Sequence, residues 1–287
     1  SYIENPLLDL AKIYARQDVV EEFFKDLNLR NALTERLQSV RDLERIVSRM
    51  EVGTANARDL LALKLSLQEL PDLKTTLENC HSTLAKKYGQ EIILHEELRD
   101  ILDKAVVEEP PFSIREGGMI KRGYNTELDE LYLIAGDSKT WMQNFETKIK
   151  EESGIKTLKI GFNKIFGYYI EVSKGQTDNV PDYFVRKQTL VNAERYIVPE
   201  LKDFENKILG AKEKIEQLEY YLFNELRDKV RAEIITLQKT AEAIANIDVL
   251  LSLAICAFKY NYVRPELNNN GELTIVDGRH PVVERLL

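Results

Sequence analysis

Apolar residues recur at steps of three and four along most of the chain, as on one face of an α-helix. They alternate with polar residues in a single stretch, 155–198. Ahead of that stretch the pattern predicts a helix capped by Asp9 and running to about Lys25, with Leu10, Ile13, Tyr14, Val20, Phe23 and Phe24 mostly inward. Shorter helices follow over 27–37 and 42–50, then a turn at 53–56. Asn56 caps a helix bearing Leu60, Leu63, Leu67 and Leu70, which Pro71 should stop. A further helix is expected over 91–106, a break at Pro110 and Pro111, and a hairpin or loop at 114–120. Thr126, with Asp129 three residues on, opens a helix that Gly154 ends, about 27 residues or roughly 40 Å long.

The alternating stretch reads as strands. Tyr168, Ile170 and Val172 share one face, and Tyr169, Glu171 and Ser173 the other. Gly161, Gly167 and Gly175 punctuate it, and a hairpin is expected at Phe162-Asn163-Lys164-Ile165. Pro199 then starts a second long helix. Its apolar positions Leu201, Phe204, Ile208, Ala211, Ile215, Leu218 and Leu222 step by three and four alternately, a heptad seam that needs a partner helix. The nearest partner is the helix entering the strands. Residues 241–258 are apolar on most sides and should lie inside the body, with Asp248 as a paired, buried carboxylate. Residues 273–276 look strand-like. The fold class is therefore mainly α: a helical body with two long antiparallel helices carrying a small inserted β-rich part, like a tip on a stalk.

Charge singles out the same stretch. Of the 287 residues, whose formal net charge is −8, those from 155 to 198 hold Lys156, Lys159, Lys164, Lys174, Arg186, Lys187 and Arg195 against Glu171, Asp178, Asp182 and Glu194. A positive island on an acidic chain suits an anionic partner such as a phosphate backbone; solvated strand faces of no special function carry such charges too. Asn163 and Lys164 fall at the hairpin, and Arg186, Lys187, Asn192 and Arg195 on or beside the last strands. These residue types donate to phosphate oxygens. With no recognition helix and no RNA-stacking signature, the contact expected is to the backbone, without sequence readout. Two other readings stay open: a purely structural coiled-coil hairpin, and an RNA-binding helical arm of the kind attached to tRNA synthetases.

Catalytic templates find nothing. There is no Ser/His/Asp set, no Cys/His pair and no Gly-x-x-x-x-Gly-Lys-Ser/Thr loop, so neither an active site nor a bound cofactor is expected within these residues. Cys80 and Cys256 stand apart, as do His81, His95 and His280, which argues for a reducing compartment, read as cytoplasmic, and against a metal site. No run of 18 apolar residues and no signal peptide is seen, so no membrane partner is expected. Because the first residue is Ser1, the chain is expected to be a piece of a longer protein.

The longest distinctive motifs are Gly161-Phe-Asn-Lys-Ile-Phe-Gly-Tyr-Tyr-Ile-Glu-Val172 and Arg186-Lys-Gln-Thr-Leu-Val-Asn-Ala-Glu-Arg-Tyr-Ile-Val-Pro-Glu-Leu-Lys202. With Asn5-Pro-Leu-Leu8, Asp42-Leu-Glu-Arg-Ile46 and Gly278-Arg-His-Pro-Val-Val283, they resemble the MutS family of DNA mismatch-repair proteins. The resemblance implies a helical lever region with an inserted clamp: lever over 1–154, clamp over 155–205, returning helix and core helices over 206–271, and the entrance to an ATPase domain over 272–287. It implies paired clamps closing on double-stranded DNA that carries mismatches. It places backbone contacts at Asn163, Lys187 and Asn192, with Arg186 and Arg195 close by. It also implies a homodimeric parent with a MutL-like partner. ATP and Mg would be bound by the parent's ATPase domain beyond Leu287, and mismatch reading would fall to a domain preceding Ser1.

Overall fold

The computed structural model describes Tyr2 and residues 4–136 and 138–285, apart from the side chains of residues 138, 139 and 285. Among the described residues the elements run α1 (Leu10–Lys25), α2 (Leu27–Ser39), α3 (Leu43–Val52), α4 (Ala57–Glu78), α5 (Thr83–Glu91), α6 (Glu96–Ala105), α7 (Thr126–Gly136) and α8 (Ser138–Ser153). Strands β1 (Lys159–Asn163), β2 (Gly167–Ser173), β3 (Val185–Thr189) and β4 (Ala193–Ile197) follow, and then helices α9 (Pro199–Ala232) and α10 (Ile234–Tyr260). The chain is mainly helical with one small antiparallel sheet, as the hydrophobic pattern implies. It divides into two compact units.

The first unit comprises Ser1–Ser48, Leu65–Glu96 and Glu233–Leu287. Here Asp9 caps α1, accepting from the backbone N–H groups of Ala11 (2.9 Å) and Lys12 (3.3 Å). Helix α10 packs against α1, α2 and α5, burying Leu237, Ile244, Ile247, Leu250 and Leu251. It is long and apolar enough to cross a membrane by length and composition, yet much of that apolar surface serves this packing. Its burial is one-sided: Leu253 and Phe258 are about half exposed. Asp248 lies on the open side and is exposed, which corrects the buried carboxylate expected there. Residues 273–276 are not a strand: no pairing is formed, and Leu273, Ile275 and Val276 stand largely in solvent. Cys80 and Cys256 are both free. Burial foremost, and then the Glu22 carboxylate, push the Cys80 thiol up to about 12, so it is not ionised near neutral pH. Native alkylation should therefore label exposed Cys256 and spare Cys80 until the protein is denatured; mass mapping of the labelled peptides checks this.

Two of the predicted boundaries move. Helix α4 runs through Pro71 to Glu78. Leu67, Leu70, Leu73 and Leu77 are all fully buried. Burying such side chains at about 1.5–3 kcal/mol each outweighs the roughly 3 kcal/mol an internal proline costs. The helix expected over 91–106 begins only at Glu96, because His95 takes a left-handed backbone (φ 49°), and α5 precedes it unannounced by the apolar spacing.

The second unit comprises Arg49–Lys64 and Glu97–Ala232. The expected long helix over 126–154 is described as α7 and α8; Asp137 between them lies outside the described residues. Both helices run antiparallel to α9. Tyr132 meets Glu219, Trp141 stacks on Phe204 with ring centroids 3.5 Å apart, and Lys148 meets Glu200, so one index rises as the other falls. The seam on α9 is built as expected at Leu201, Ile208, Ala211, Ile215 and Leu222, but Leu218 is only half-buried and its neighbour Glu219 is fully buried in its place. Stretch 114–120 is a loop whose end pairs with the residues just after α6, through a bridge between Val106 and Ile120 and a bond from the Val107 N–H to the Met119 carbonyl (3.1 Å), with Gly117 and Gly118 at positive φ.

The strand order is β1-β2-β4-β3, every pairing antiparallel. One face packs on α8 and the start of α9: Ile170, Val172 and Tyr196 join Phe145, Ile149 and Leu201 in a buried cluster. Tyr168 packs against that cluster, so Tyr168, Ile170 and Val172 share the inward face as the alternation requires.

Candidate nucleic-acid interface

The outward face of the sheet is set by register. Lys159 lies opposite Glu171, Glu171 opposite Arg195, and Arg195 opposite Gln188, so one polar row crosses all four strands. Arg195 Nε donates to Glu171 Oε2 (2.9 Å), and Nη1 donates to Gln188 Oε1 (3.0 Å). Its guanidinium lies 4.3 Å from the centroid of the Tyr169 ring, and that ring covers Gly161 on the neighbouring strand. Arg195 is thus satisfied inside the sheet, and the middle of the face is electrically balanced.

Asn163 closes the β1–β2 hairpin. Its side-chain oxygen accepts from the backbone N–H of Ile165 (2.8 Å), which holds the turn and leaves the amide NH2 as a donor. Lys164 beside it is exposed, and Ile165 is 92% exposed. Asn192 sits in the β3–β4 turn, exposed, with its carbonyl accepting from the Lys174 N–H (3.1 Å). These two asparagines lie at opposite ends of the sheet. β2 runs from Gly167, paired with Asn163, to Ser173, paired with Ala193, a span of about 20 Å at roughly 3.3 Å per residue.

Arg186 and Lys187 lie on β3, an edge strand. The register slips between Arg186 and Gln188, so Lys187 is the extra residue of a bulge and has no cross-strand partner. Lys187 is exposed. Arg186 contacts Glu194 at 3.4 Å with 63% of its side chain in solvent, a pairing that holds the arginine weakly. The other oxygen of Glu194 accepts from the Tyr196 hydroxyl (2.6 Å); burial first, and then this carboxylate, push that phenol up to about 12.

The five residues singled out from the sequence are therefore spread over both edges and both ends of one sheet, not gathered at a point. Charge alone did not distinguish those already paired from those left free. Lys156, Lys159, Lys164, Lys174 and Lys187 are all exposed, and none has an acidic partner among the described residues. The positive island also holds Lys156, Lys159 and Lys174, and the alternation from Lys159 to Gly161 is the signal in the sequence that could set Lys159 on the outward face. Below the sheet, buried Glu205 pairs with Lys202 (3.0 Å) and presses on Gly167, which has φ 82°.

Compared with known proteins, residues 1–254 match the family model for MutS domain III. The chain is 47% identical over 284 residues to the DNA mismatch repair protein MutS of Desulforamulus reducens, covering 99% of this chain and 33% of that protein. It is 48% identical over 283 residues to that of Halothermothrix orenii (99% and 32%) and 49% identical over 287 residues to that of Methanosarcina barkeri (99% and 32%). The chain spans about a third of the length of the curated relatives it matches.

Proposed function

The chain belongs to the MutS family, spanning its domain III, and on that premise we propose that the four-stranded sheet is a clamp that contacts the phosphate backbone of duplex DNA. The antiparallel helices α7, α8 and α9 act as levers that tie this clamp to the rest of the full-length protein. The observation that carries this reading is the set of exposed lysines, without acidic partners among the described residues, on and beside one small sheet of an otherwise acidic chain. Lysine and arginine at phosphates give affinity and register without base information. In the full-length protein, mismatch reading and ATP hydrolysis with Mg fall to other segments, the protein works as a homodimer, and a MutL-like protein is its downstream partner; these assignments rest on family membership.

The test is a salt titration. Replacing Arg186 and Lys187 together by alanine in the full-length protein should flatten the slope of log affinity against log salt by up to roughly 2, at about 0.9 per phosphate neutralised. It should weaken perfectly paired and mismatched duplexes by similar factors. Fluorescent duplexes titrated at several salt concentrations supply both numbers. An unchanged slope would favour a purely structural hairpin, and a preference for tRNA over duplex DNA would favour an RNA-binding arm.

A further inference from the structure

Three asparagines among the described residues hold their side chains in the same way. The side-chain oxygen accepts from the backbone N–H two positions on: Asn163 from Ile165 (2.8 Å), Asn268 from Asn270 (3.1 Å) and Asn270 from Glu272 (3.2 Å). This turn folds the side-chain amide back over the intervening peptide. Its donor also polarises the amide carbonyl, as an oxyanion forming there requires. The intervening residue is what differs: Lys164, Asn269 and Gly271. Asn270 is the one asparagine of the chain followed by glycine. Gly271 is exposed and has φ 78°, and its N–H has no acceptor among the described residues. The loop closes on itself, with Asn270 Nδ2 donating to Glu272 Oε2 (2.9 Å). On either side the chain is tied down. The Tyr14 hydroxyl donates to the Leu267 carbonyl (2.8 Å) and accepts from the Leu267 N–H (3.0 Å), and Arg279 donates to the carbonyls of Tyr260 (2.9 Å) and Asn261 (3.0 Å).

We infer that Asn270 is a site of spontaneous deamidation, which writes a negative charge into this loop as the protein ages. Base in the solvent takes the proton of the Gly271 amide nitrogen, and that nitrogen attacks Cγ of Asn270. The new C–N bond closes a five-membered ring, the bond to Nδ2 breaks, and Nδ2 leaves as ammonia with a proton from water. Water then opens the ring. Opening at one carbonyl restores the ordinary backbone with an aspartate side chain; opening at the other runs the backbone through the side chain as isoaspartate. Both partners sit in one turn, so attack is intramolecular, and with no Cβ on Gly271 nothing crowds the nucleophile. Elsewhere the following peptide is held: the Nδ2 groups of Asn224 and Asn246 donate to carbonyls of their own helices, and the Tyr262 N–H after Asn261 bonds to the Ala257 carbonyl (3.0 Å). Either product puts a new carboxylate beside that of Glu272, so a hydrogen bond becomes a like-charge contact. The loop should open while its two anchors stay.

The experiment incubates the full-length protein in mildly alkaline buffer below its melting temperature. Samples are taken over days, digested, and mapped by mass spectrometry that separates asparagine, aspartate and isoaspartate. Position 270 should convert ahead of 163 and 268, although all three share one hydrogen-bond pattern, and at least as fast as the same asparagine in a free peptide spanning 266–274. Gly271→Ala meets no neighbour and should slow conversion about tenfold or more, or roughly 1.4 kcal/mol on the barrier. Asn269→Gly should make Asn268 a second site. In the converted fraction, amide hydrogen exchange should rise over 268–273 and stay unchanged at Leu267, which Tyr14 holds. Conversion at 163 or 268 as fast as at 270, or slower at 270 in the native protein than in the peptide, would overturn the assignment, because the fold would then be guarding this asparagine. Should Gly271→Ala disturb the loop through its positive φ, Asn270→Gln keeps the amide, would have to close a six-membered ring, and should stay unconverted over the same period.

Discussion

Replacing Glu219 by alanine should destabilise the second unit by about 2–5 kcal/mol, although nothing in the sequence marks this residue out from the other acids of α9. Glu219 is fully buried. Its Oε2 accepts from the backbone N–H of Met119 (2.7 Å), and its Oε1 accepts from the hydroxyl of Tyr132 (2.7 Å). One carboxylate thus holds the 117–119 loop and α7 against α9. The Arg122 guanidinium, 3.2 Å from the centroid of the Tyr132 ring, adds a cation to the same cluster. Alanine would leave two donors without an acceptor, each costing about 1–3 kcal/mol where water cannot reach, and would open a void as well. Glutamine keeps the volume and one acceptor oxygen, so Glu219→Gln should cost clearly less than Glu219→Ala. Tyr132→Phe removes one donor and should make a following Glu219→Ala cheaper than in wild type. Urea denaturation of the four proteins in a double-mutant cycle measures this, and coupling near zero would show that the hydroxyl and the carboxylate do not hold each other.

The same residue shows where sequence reading stopped. The seam on α9 was legible because Leu201, Ile208, Ala211, Ile215 and Leu222 repeat at steps that only a packed helix face explains. A step of three or four also falls on Glu205 and Glu219, but a buried carboxylate carries no apolar signal, and its partners lie far away in sequence: Gly167 for Glu205, Met119 and Tyr132 for Glu219. Period-two alternation gave the faces of β2 for the same reason that periodicity gave the helix face: Tyr168, Ile170 and Val172 needed a core. Pro71 does not stop α4 because the burial of the leucines beyond it outweighs the local cost of the proline. Of the candidate interface, the residue types and the net positive charge are legible in the sequence. Which cations are spent on internal partners is not, because that depends on the register placing Arg195 between Glu171 and Gln188. Asp248 was misplaced because an acid inside an apolar run looks buried until one knows which side of α10 is covered.

Gly167→Ala should be the most damaging single-methyl addition in the sheet, at about 3 kcal/mol or more. Two independent causes add at this position. The backbone has φ 82°, which costs a side-chain-bearing residue roughly 1–2 kcal/mol. A Cβ there would also land on the carboxylate of Glu205, and that group cannot swing away freely because it is buried and paired with Lys202 (3.0 Å). The two causes can be separated. In a Glu205→Ala background the collision is gone and only the backbone strain remains, so Gly167→Ala should then cost about 1–2 kcal/mol. The comparison position is Gly175, where an added Cβ meets no neighbour and φ is not in the left-handed region, so Gly175→Ala should lie within about 0.5 kcal/mol of wild type. Urea midpoints for the four glycine and glutamate variants decide the matter: a Gly167→Ala cost that is the same with and without Glu205 would leave backbone strain as its whole cause. The outcome bears on function as well as stability. Gly167 ends the hairpin that presents Asn163 and Lys164, and Glu205 belongs to the first turns of α9. On the proposed clamp function, this contact seats the turn that would offer donors to DNA on the helix that carries it. A Gly167→Ala protein that still folds should lose duplex affinity through misplacement of that turn, with both side chains intact.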